Sequence, residues 1–164
     1  MITMKNNEDI TMIGKSVNEK LLKYEKWLLP LFVVLTALKL AFNSQIGILT
    51  AIVALVLGAM YFLSAFAFIN DPEISGFDKF IIKIIHWASS VCCVSILFKL
   101  FKYPGRDLFM QVGLYTIALS MLIILFQKMR GKESKVLSRP LTIRVITLIA
   151  VMAVVYFVKF NNAV

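Results

Sequence analysis

The sequence predicts an all-helical fold, a polytopic membrane bundle of transmembrane helices. Hydrophobic residues make up 60% of the 164 residues, whereas a water-soluble domain is closer to half apolar. These residues are collected into long runs, and a helix needs about 20 apolar residues to cross the hydrocarbon core of a membrane. Short polar segments separate the runs. Together these observations predict five transmembrane helices.

The predicted spans are residues 27–42, 46–69, 80–101, 108–126 and 141–160. Only three residues separate the first two spans, so we expect them to form a tight helical hairpin. Tyr103, Pro104 and Gly105 form the predicted turn between the third and fourth spans, with Asp107 as the N-cap of the fourth. The predicted regions are a cytoplasmic tail (1–26), a first hairpin (27–69), a cytoplasmic loop (70–79), a second hairpin (80–126), a basic cytoplasmic loop (127–140), a fifth span (141–160) and an outer C-terminus (161–164).

The N-terminal tail carries apolar residues at helical spacing. These residues are Ile10, Ile13, Val17, Leu21, Tyr24 and Leu28. The pattern predicts an amphipathic helix that lies along the membrane surface and leads into the first span, and docking onto a partner is the alternative. Because no cleavable leader pattern precedes the first apolar run, we expect the first helix to act as an uncleaved insertion signal.

The formal net charge of +9 follows the membrane pattern, because the basic residues flank the apolar runs. No nucleic-acid-binding motif accompanies them, so we expect contacts with lipid headgroups and no nucleic-acid partner. With five spans, the tail and the loops around 70–83 and 127–144 share one side, which holds 13 of the 18 lysines and arginines. The positive-inside rule then predicts a cytoplasmic N-terminus and a C-terminus on the outer side of the membrane.

An internal repeat appears when the chain is shifted by 60 positions. The shift aligns Lys23, Trp27, Val34, Lys39 and Leu40 with Lys83, Trp87, Val94, Lys99 and Leu100, and a second step aligns Lys99 with Lys159. Since each unit contains two spans, this pattern predicts two hairpins of the same orientation followed by one helix.

Three lysines lie near the outer ends of the odd-numbered spans: Lys39, Lys99 and Lys159. One interpretation is snorkelling, in which the aliphatic stem stays in lipid and the ammonium reaches the headgroups. The other is a cluster that, with Lys102 and Arg106, binds an anion, a lipid phosphate or an acidic group of a partner.

Trp27, His86 and Trp87 are predicted as anchors at the membrane interface. The adjacent Cys92 and Cys93 lie within an apolar run and are predicted to be buried, since metal sites and disulfide frameworks need spaced ligands. We therefore expect neither a metal nor a cofactor.

All nine acidic residues fall outside the predicted spans. The absence of a carboxylate at depth argues against a proton pump or a cation channel. An enzyme is not expected either, because no nucleophile with a base and no pair of carboxylates can be assembled. That expectation would weaken if His86 lined a cytoplasmic-face cavity with Asp71 or Asp78. Small residues suited to helix packing are Ser89, Ser90, Cys93, Ala54, Gly58, Ala150 and Ala153.

Residues 98–105, with the sequence Phe-Lys-Leu-Phe-Lys-Tyr-Pro-Gly, are followed at 112–118 by Val-Gly-Leu-Tyr-Thr-Ile-Ala. This pair of segments resembles the membrane hairpin of the GldL-type motor subunit of gliding motility and type IX secretion in Bacteroidota. The resemblance implies a helical hairpin and a Bacteroidota source, with Lys99 at the position of the family's intramembrane lysine. The family's intramembrane glutamate corresponds to Ile117 here, and to Leu57 in the first repeat, so proton conduction is not implied.

The sequence thus predicts a small non-enzymatic inner-membrane protein that acts as a structural, accessory or assembly subunit of a larger membrane complex. Its expected partners are membrane lipids and other integral membrane subunits, or further copies of itself. The alternative is a small channel or transporter for an anion or lipid that uses the outer-face lysines.

Overall fold

The computed structural model describes residues 2–42, 46–129 and 139–157, and its five elements are all α-helices. They are α1 (Ile2–Phe42), α2 (Gly47–Ser64), α3 (Gly76–Leu100), α4 (Arg106–Met129) and α5 (Arg139–Phe157). The all-helical prediction is therefore confirmed. Lys159, the predicted C-terminal end and most of the predicted basic loop lie outside the described residues.

Within the described residues, four helices are long and apolar enough to cross a membrane. They are Gly47–Ser64, Gly76–Leu100, Arg106–Phe126 and Pro140–Phe157, which correspond to the second to fifth predicted spans. α1 is not among them, since charged residues run through its first half and Lys39 lies in its last turn. The structure thus supports a helical membrane protein with four candidate spans.

α1 is one continuous helix of 41 residues, about 61 Å long at 1.5 Å per residue. The predicted boundary between the tail and the first span is not a break in the backbone. The buried positions of α1 are Thr11, Gly14, Leu21, Glu25, Leu29, Phe32, Leu35 and Thr36. Most of these buried residues come one position after a residue of the predicted apolar stripe. Three residues of that stripe, Ile10, Ile13 and Tyr24, are exposed.

The start of α3 is capped by Ser75, whose hydroxyl oxygen accepts from the backbone N–H of Asp78 at 3.1 Å. At the other end of α3, Lys102 adopts a left-handed conformation with φ 55°. The N–H of Tyr103 donates to the carbonyl of Phe98 at 3.0 Å, which satisfies a carbonyl group left open at the end of the helix. The chain therefore turns within the predicted segment.

Gly105 completes this turn with φ 78°, a conformation that suits glycine because it has no Cβ. Asp107, predicted as the N-cap of the fourth span, lies instead in the first turn of α4. A carboxylate there still interacts favourably with the positive end of the helix dipole.

α3 lies at the centre of the bundle, with α2, α4 and α5 packed around it. Small residues allow the close approaches: Gly58 of α2 faces Cys93 of α3, and a Cβ on Gly113 of α4 would lie 2.6 Å from Oγ of Ser95. Ala150 of α5, predicted as part of a packing face, is exposed.

Candidate functional site

A cluster of buried polar side chains lies inside the bundle, and each of its members comes from a different helix. Glu25 of α1, Tyr61 of α2, His86 of α3 and Arg144 of α5 are 6%, 0%, 2% and 2% exposed. Tyr61, His86 and Arg144 belong to candidate spans. We call these four residues the buried polar cluster.

Arg144 contacts all three other members of the cluster. Its Nε and Nη2 both donate to the carboxylate of Glu25, with 2.7 Å between Nη2 and Oε2. Its Nη1 lies 3.2 Å from Nδ1 of His86, and its guanidinium carbon lies 4.5 Å from the ring centroid of Tyr61. The Tyr61 hydroxyl donates to Oε1 of Glu25 at 2.9 Å. The network therefore joins α1, α2, α3 and α5.

The protonation of His86 follows from its partner. A guanidinium has only donors, so Nδ1 of His86 accepts from Arg144, and the proton of the neutral imidazole is on Nε2. Glu25 and Arg144 together carry no net charge. The charges of Glu25 and Arg144 thus balance each other inside the cluster. Removing one partner of a buried ion pair is strongly destabilising, because the other charge is left uncompensated.

Glu25 lies outside the predicted spans, as the other acidic residues do, yet it is buried inside the bundle and paired with Arg144. The sequence pattern predicts Glu25 in the cytoplasmic tail and Arg144 among the basic residues of the loop around 127–144. Because α1 continues as a single helix, Glu25 is carried onto its buried face, where it meets Arg144 five positions into α5. One signal was present in the sequence, since Arg144 falls within the predicted span 141–160 and a charge there requires a partner.

A cavity of about 420 Å³ adjoins the cluster, with both His86 and Arg144 in its wall. We call it the polar cavity because Asp71 and Glu73, from the segment between α2 and α3, also line it. Asp78 is instead engaged in the cap of α3, where the Ser75 hydroxyl donates to its carboxylate at 2.9 Å. His86 and Asp71 thus face the same cavity.

A second cavity of about 500 Å³ lies between α1 and α5, and we call it the α1–α5 groove. Its charged lining residues are Glu25, Lys26 and Arg144, and most of its other lining residues are apolar. It shares Leu22, Pro140 and Arg144 with the polar cavity. Arg144 therefore lines both the polar cavity and the mostly apolar α1–α5 groove.

Two of the three predicted outer lysines lie at the same end of the bundle. Nζ of Lys99 is 2.5 Å from Oδ1 of Asp107. Nζ of Lys39 and the ring of Phe101 lie 3.5 Å and 3.4 Å from the position that a Cβ on Gly47 would occupy. Lys39 is therefore beside the start of α2 and the end of α3.

Two further predicted binding residues lie nearby in the sequence. Nε of Arg106 is 4.0 Å from Oδ2 of Asp107, and Lys102 is exposed in the turn after α3. Asp107 thus lies between the basic side chains of Lys99 and Arg106. The structure does not describe Lys159, so the predicted set of three lysines is seen only in part.

Among the predicted interfacial anchors, Trp27 is 72% exposed and Trp87 is partly exposed. The Trp87 ring stacks with Phe62 at a centroid distance of 6.2 Å, and Nζ of Lys83 lies 4.8 Å from its centroid. His86 is not at the exterior with them. It points into the bundle because a helical neighbour is rotated by about 100°.

The exterior of α4 carries two polar side chains one turn apart. Gln111 is exposed, and Tyr115 is 70% exposed near the middle of the candidate span Arg106–Phe126. This span has the smallest buried share of the four. We call Gln111 and Tyr115 the polar face of α4.

Within the described ranges, no group of three or more histidine, cysteine, aspartate or glutamate side chains is arranged to hold a metal ion. Cys92 and Cys93 are free and buried. Comparisons of the chain with protein-family models, with curated proteins and with solved structures find no match. The geometry of the cluster, the two cavities and the α4 face is therefore the basis for interpreting function.

Proposed function

We propose that the protein is a non-enzymatic accessory or assembly subunit of a larger membrane complex, and that its partner packs on the polar face of α4. The supporting observation is the exposure of Tyr115 near the middle of a candidate span. Hydrocarbon offers no water to a hydroxyl or amide group, so such groups at helix surfaces favour contacts with another protein.

The packing of the bundle supports the same assignment. Glu25 and Arg144 already satisfy each other inside the protein, whereas Gln111 and Tyr115 point outward from the least buried span. Polar side chains that hydrogen-bond across helices contribute about 0.6–2 kcal/mol each in membranes. Two such groups one turn apart are therefore suited to orient a partner helix against α4.

We also propose the finer architecture suggested by the sequence. α1 would be the fifth span, the two hairpins would be repeats of the same orientation, and the N-terminus would lie in the cytoplasm of a bacterial inner membrane. The packing of α1 along α2 supports the crossing of α1, because Lys39 lies beside Gly47 at one end of α2 and Gly14 lies beside Ala67, just beyond the other end. The resemblance to the GldL-type hairpin makes a motor-type membrane complex of Bacteroidota a candidate for the larger assembly.

The test is a native pull-down of the tagged full-length protein in mild detergent, followed by mass spectrometry. We expect an integral membrane partner or a second copy to co-purify, and a photoreactive residue at position 115 to crosslink to it. Tyr115→Phe together with Gln111→Leu should reduce recovery of the partner. Leu122→Ile, on the same exposed face of α4, is the matched control and should leave recovery unchanged.

Two results would contradict this proposal. One is a monomer with no co-purifying protein under conditions that keep the bundle folded. The other is equal recovery of the partner with the wild-type protein and with the variant of the polar face.

The second candidate is transport of an anion or lipid by the outer lysines. The position of Lys39 beside the end of α3, at the same end as Lys99, supports it. Against it stands the pairing of Lys99 with Asp107. Liposome flux that is lost in Lys39→Ala and Lys99→Ala variants would favour transport, and absence of flux in the wild-type protein would exclude it.

An enzyme is the third possibility, supported by His86 and Asp71 in the wall of the polar cavity. In a general base, the second ring nitrogen is usually oriented by a carboxylate. Here Nδ1 of His86 faces the guanidinium of Arg144 instead, so no carboxylate orients the ring. We therefore rank an enzyme below the other two classes.

A further inference from the structure

We propose that the α1–α5 groove binds one acyl chain of an anionic phospholipid, whose phosphate is contacted by Lys26. This inference is independent of the proposed function, because the groove is lined by α1 and α5 and the proposed partner packs on the polar face of α4. It rests on the dimensions of the groove, on its exposure and on the distribution of charge around it.

The length of the groove matches one leaflet of a membrane. Its lining residues on α1 run from Leu22 to Val34, a distance of about 18 Å at 1.5 Å per residue. Half of a hydrocarbon core is about 15 Å. Lys26, which would contact the phosphate, lies about 12 Å from Val34 by the same measure, so a chain that enters at the end marked by Lys26 and Pro140 would reach most of the way to the membrane centre.

The volume of the groove favours a thin occupant. The groove encloses about 500 Å³, whereas a helix about 10 Å across with its side chains would fill about 1,400 Å³ over a length of about 18 Å. The groove therefore cannot enclose a partner helix. An extended hydrocarbon chain is thinner and can lie within it.

The groove opens towards the exterior of the bundle. Val34 and Ile143 line it and are both exposed. Leu29 and Val33 form part of its inner wall, and the contact between α1 and α5 is slight compared with that between α1 and α2. In a membrane, an apolar opening on this surface faces lipid chains.

The charge at one end of the groove favours an anionic headgroup. Glu25 and Arg144 neutralise each other, so the exposed Lys26 gives the lining a positive charge. The neighbouring polar cavity carries the carboxylates of Asp71 and Glu73, which disfavour a phosphate there. The phosphate is therefore assigned to Lys26 and the chain to the groove.

The experiment uses the full-length protein in nanodiscs made of equal parts phosphatidylglycerol and phosphatidylcholine. Lipids retained on release into mild detergent are identified by native mass spectrometry. We expect phosphatidylglycerol to be enriched about fivefold, as one lysine near an anionic headgroup contributes about 1 kcal/mol. Lys26→Gln should bring the ratio towards parity. Val33→Trp should reduce the number of retained lipids of both kinds.

Lys23→Gln is the matched control, because Lys23 lies one turn earlier on α1 and does not line the groove. Its ratio should remain that of the wild-type protein, and inorganic phosphate should not displace the retained lipid. Equal losses in Lys23→Gln and Lys26→Gln would overturn the proposal in favour of general attraction to a basic surface. Retention without preference, or a crosslink from position 34 to protein instead of lipid, would also overturn it.

Discussion

Arg144 directs three N–H groups to partners inside the bundle: two donate to Glu25 and one faces His86. Such a side chain is stable in an apolar interior only because its charge is balanced and its donors are used. The Tyr61 ring adds a cation–π contact with the guanidinium, which is stronger where water is excluded. The ion pair therefore fixes how α5 sits against α1, α2 and α3.

Replacement of Arg144 by glutamine should lower the free energy of unfolding by about 3–5 kcal/mol, because Glu25 would remain buried without its counter-charge. The double variant Glu25→Gln with Arg144→Gln should be less destabilised than Arg144→Gln alone, since neither charge remains. Equilibrium unfolding in mixed detergent micelles measures these differences.

Arg106→Gln serves as the control for loss of an arginine. Its neighbour Asp107 is mostly exposed, so the expected loss is under about 1 kcal/mol. Similar losses for Arg106→Gln and Arg144→Gln would contradict a special role for the buried pair. A double variant as unstable as Arg144→Gln would show that the unpaired charge is not the cause.

At the scale of the helix, α1 depends on close contact near its N-terminal end. A Cβ on Gly14 would lie 2.8 Å from backbone atoms of both Phe66 and Ala67. The side-chain amide of Asn70 donates to the hydroxyl of Thr11 at 3.0 Å in the same region. This part of α1 therefore packs on the segment that follows α2.

Gly14→Ala should push α1 away from this segment, because the clashing atoms belong to the backbone and cannot rotate aside. We expect a loss of about 1–3 kcal/mol and faster hydrogen exchange in the first half of α1. Gly76→Ala is the matched control, since a Cβ there meets nothing within 4 Å. Unchanged exchange in Gly14→Ala would show that this contact does not hold α1 in place.

At the scale of the whole molecule, the path of the chain through the membrane can be determined by maleimide labelling of cysteines introduced one at a time. The native Cys92 and Cys93 are buried and should not react with a polar maleimide. If α1 crosses the membrane, Lys20→Cys and Ser75→Cys should be labelled from one side, and Ser44→Cys and Tyr103→Cys from the other. The excess of basic residues predicts that the first pair is cytoplasmic.

Labelling of Lys20→Cys and Ser44→Cys from the same side would mean that α1 does not cross and that the chain has four spans. Labelling of Ser75→Cys from outside in intact cells would reverse the predicted orientation. Wild-type protein, which has only the two buried cysteines, provides the background.

The helical class and the approximate positions of α2 to α5 were predictable, because long apolar runs leave the backbone few alternatives to a helix in a membrane. The turn at Tyr103, Pro104 and Gly105 was also predictable from residue types that end helices. The burial of His86 beside the exposed Trp87 was not, since interfacial preference describes a depth along the helix and does not fix which face points inward.

The sequence by itself determined that this protein is a bundle of apolar helices joined by short connections, since these features depend on local composition and on the length of each run. Only the tertiary structure decided that Glu25 and Arg144 meet, across 119 positions of sequence. That pairing depends on the rotation of α1 and on the approach of α5, which no local pattern encodes. The groove that α1 and α5 leave between them has the same origin.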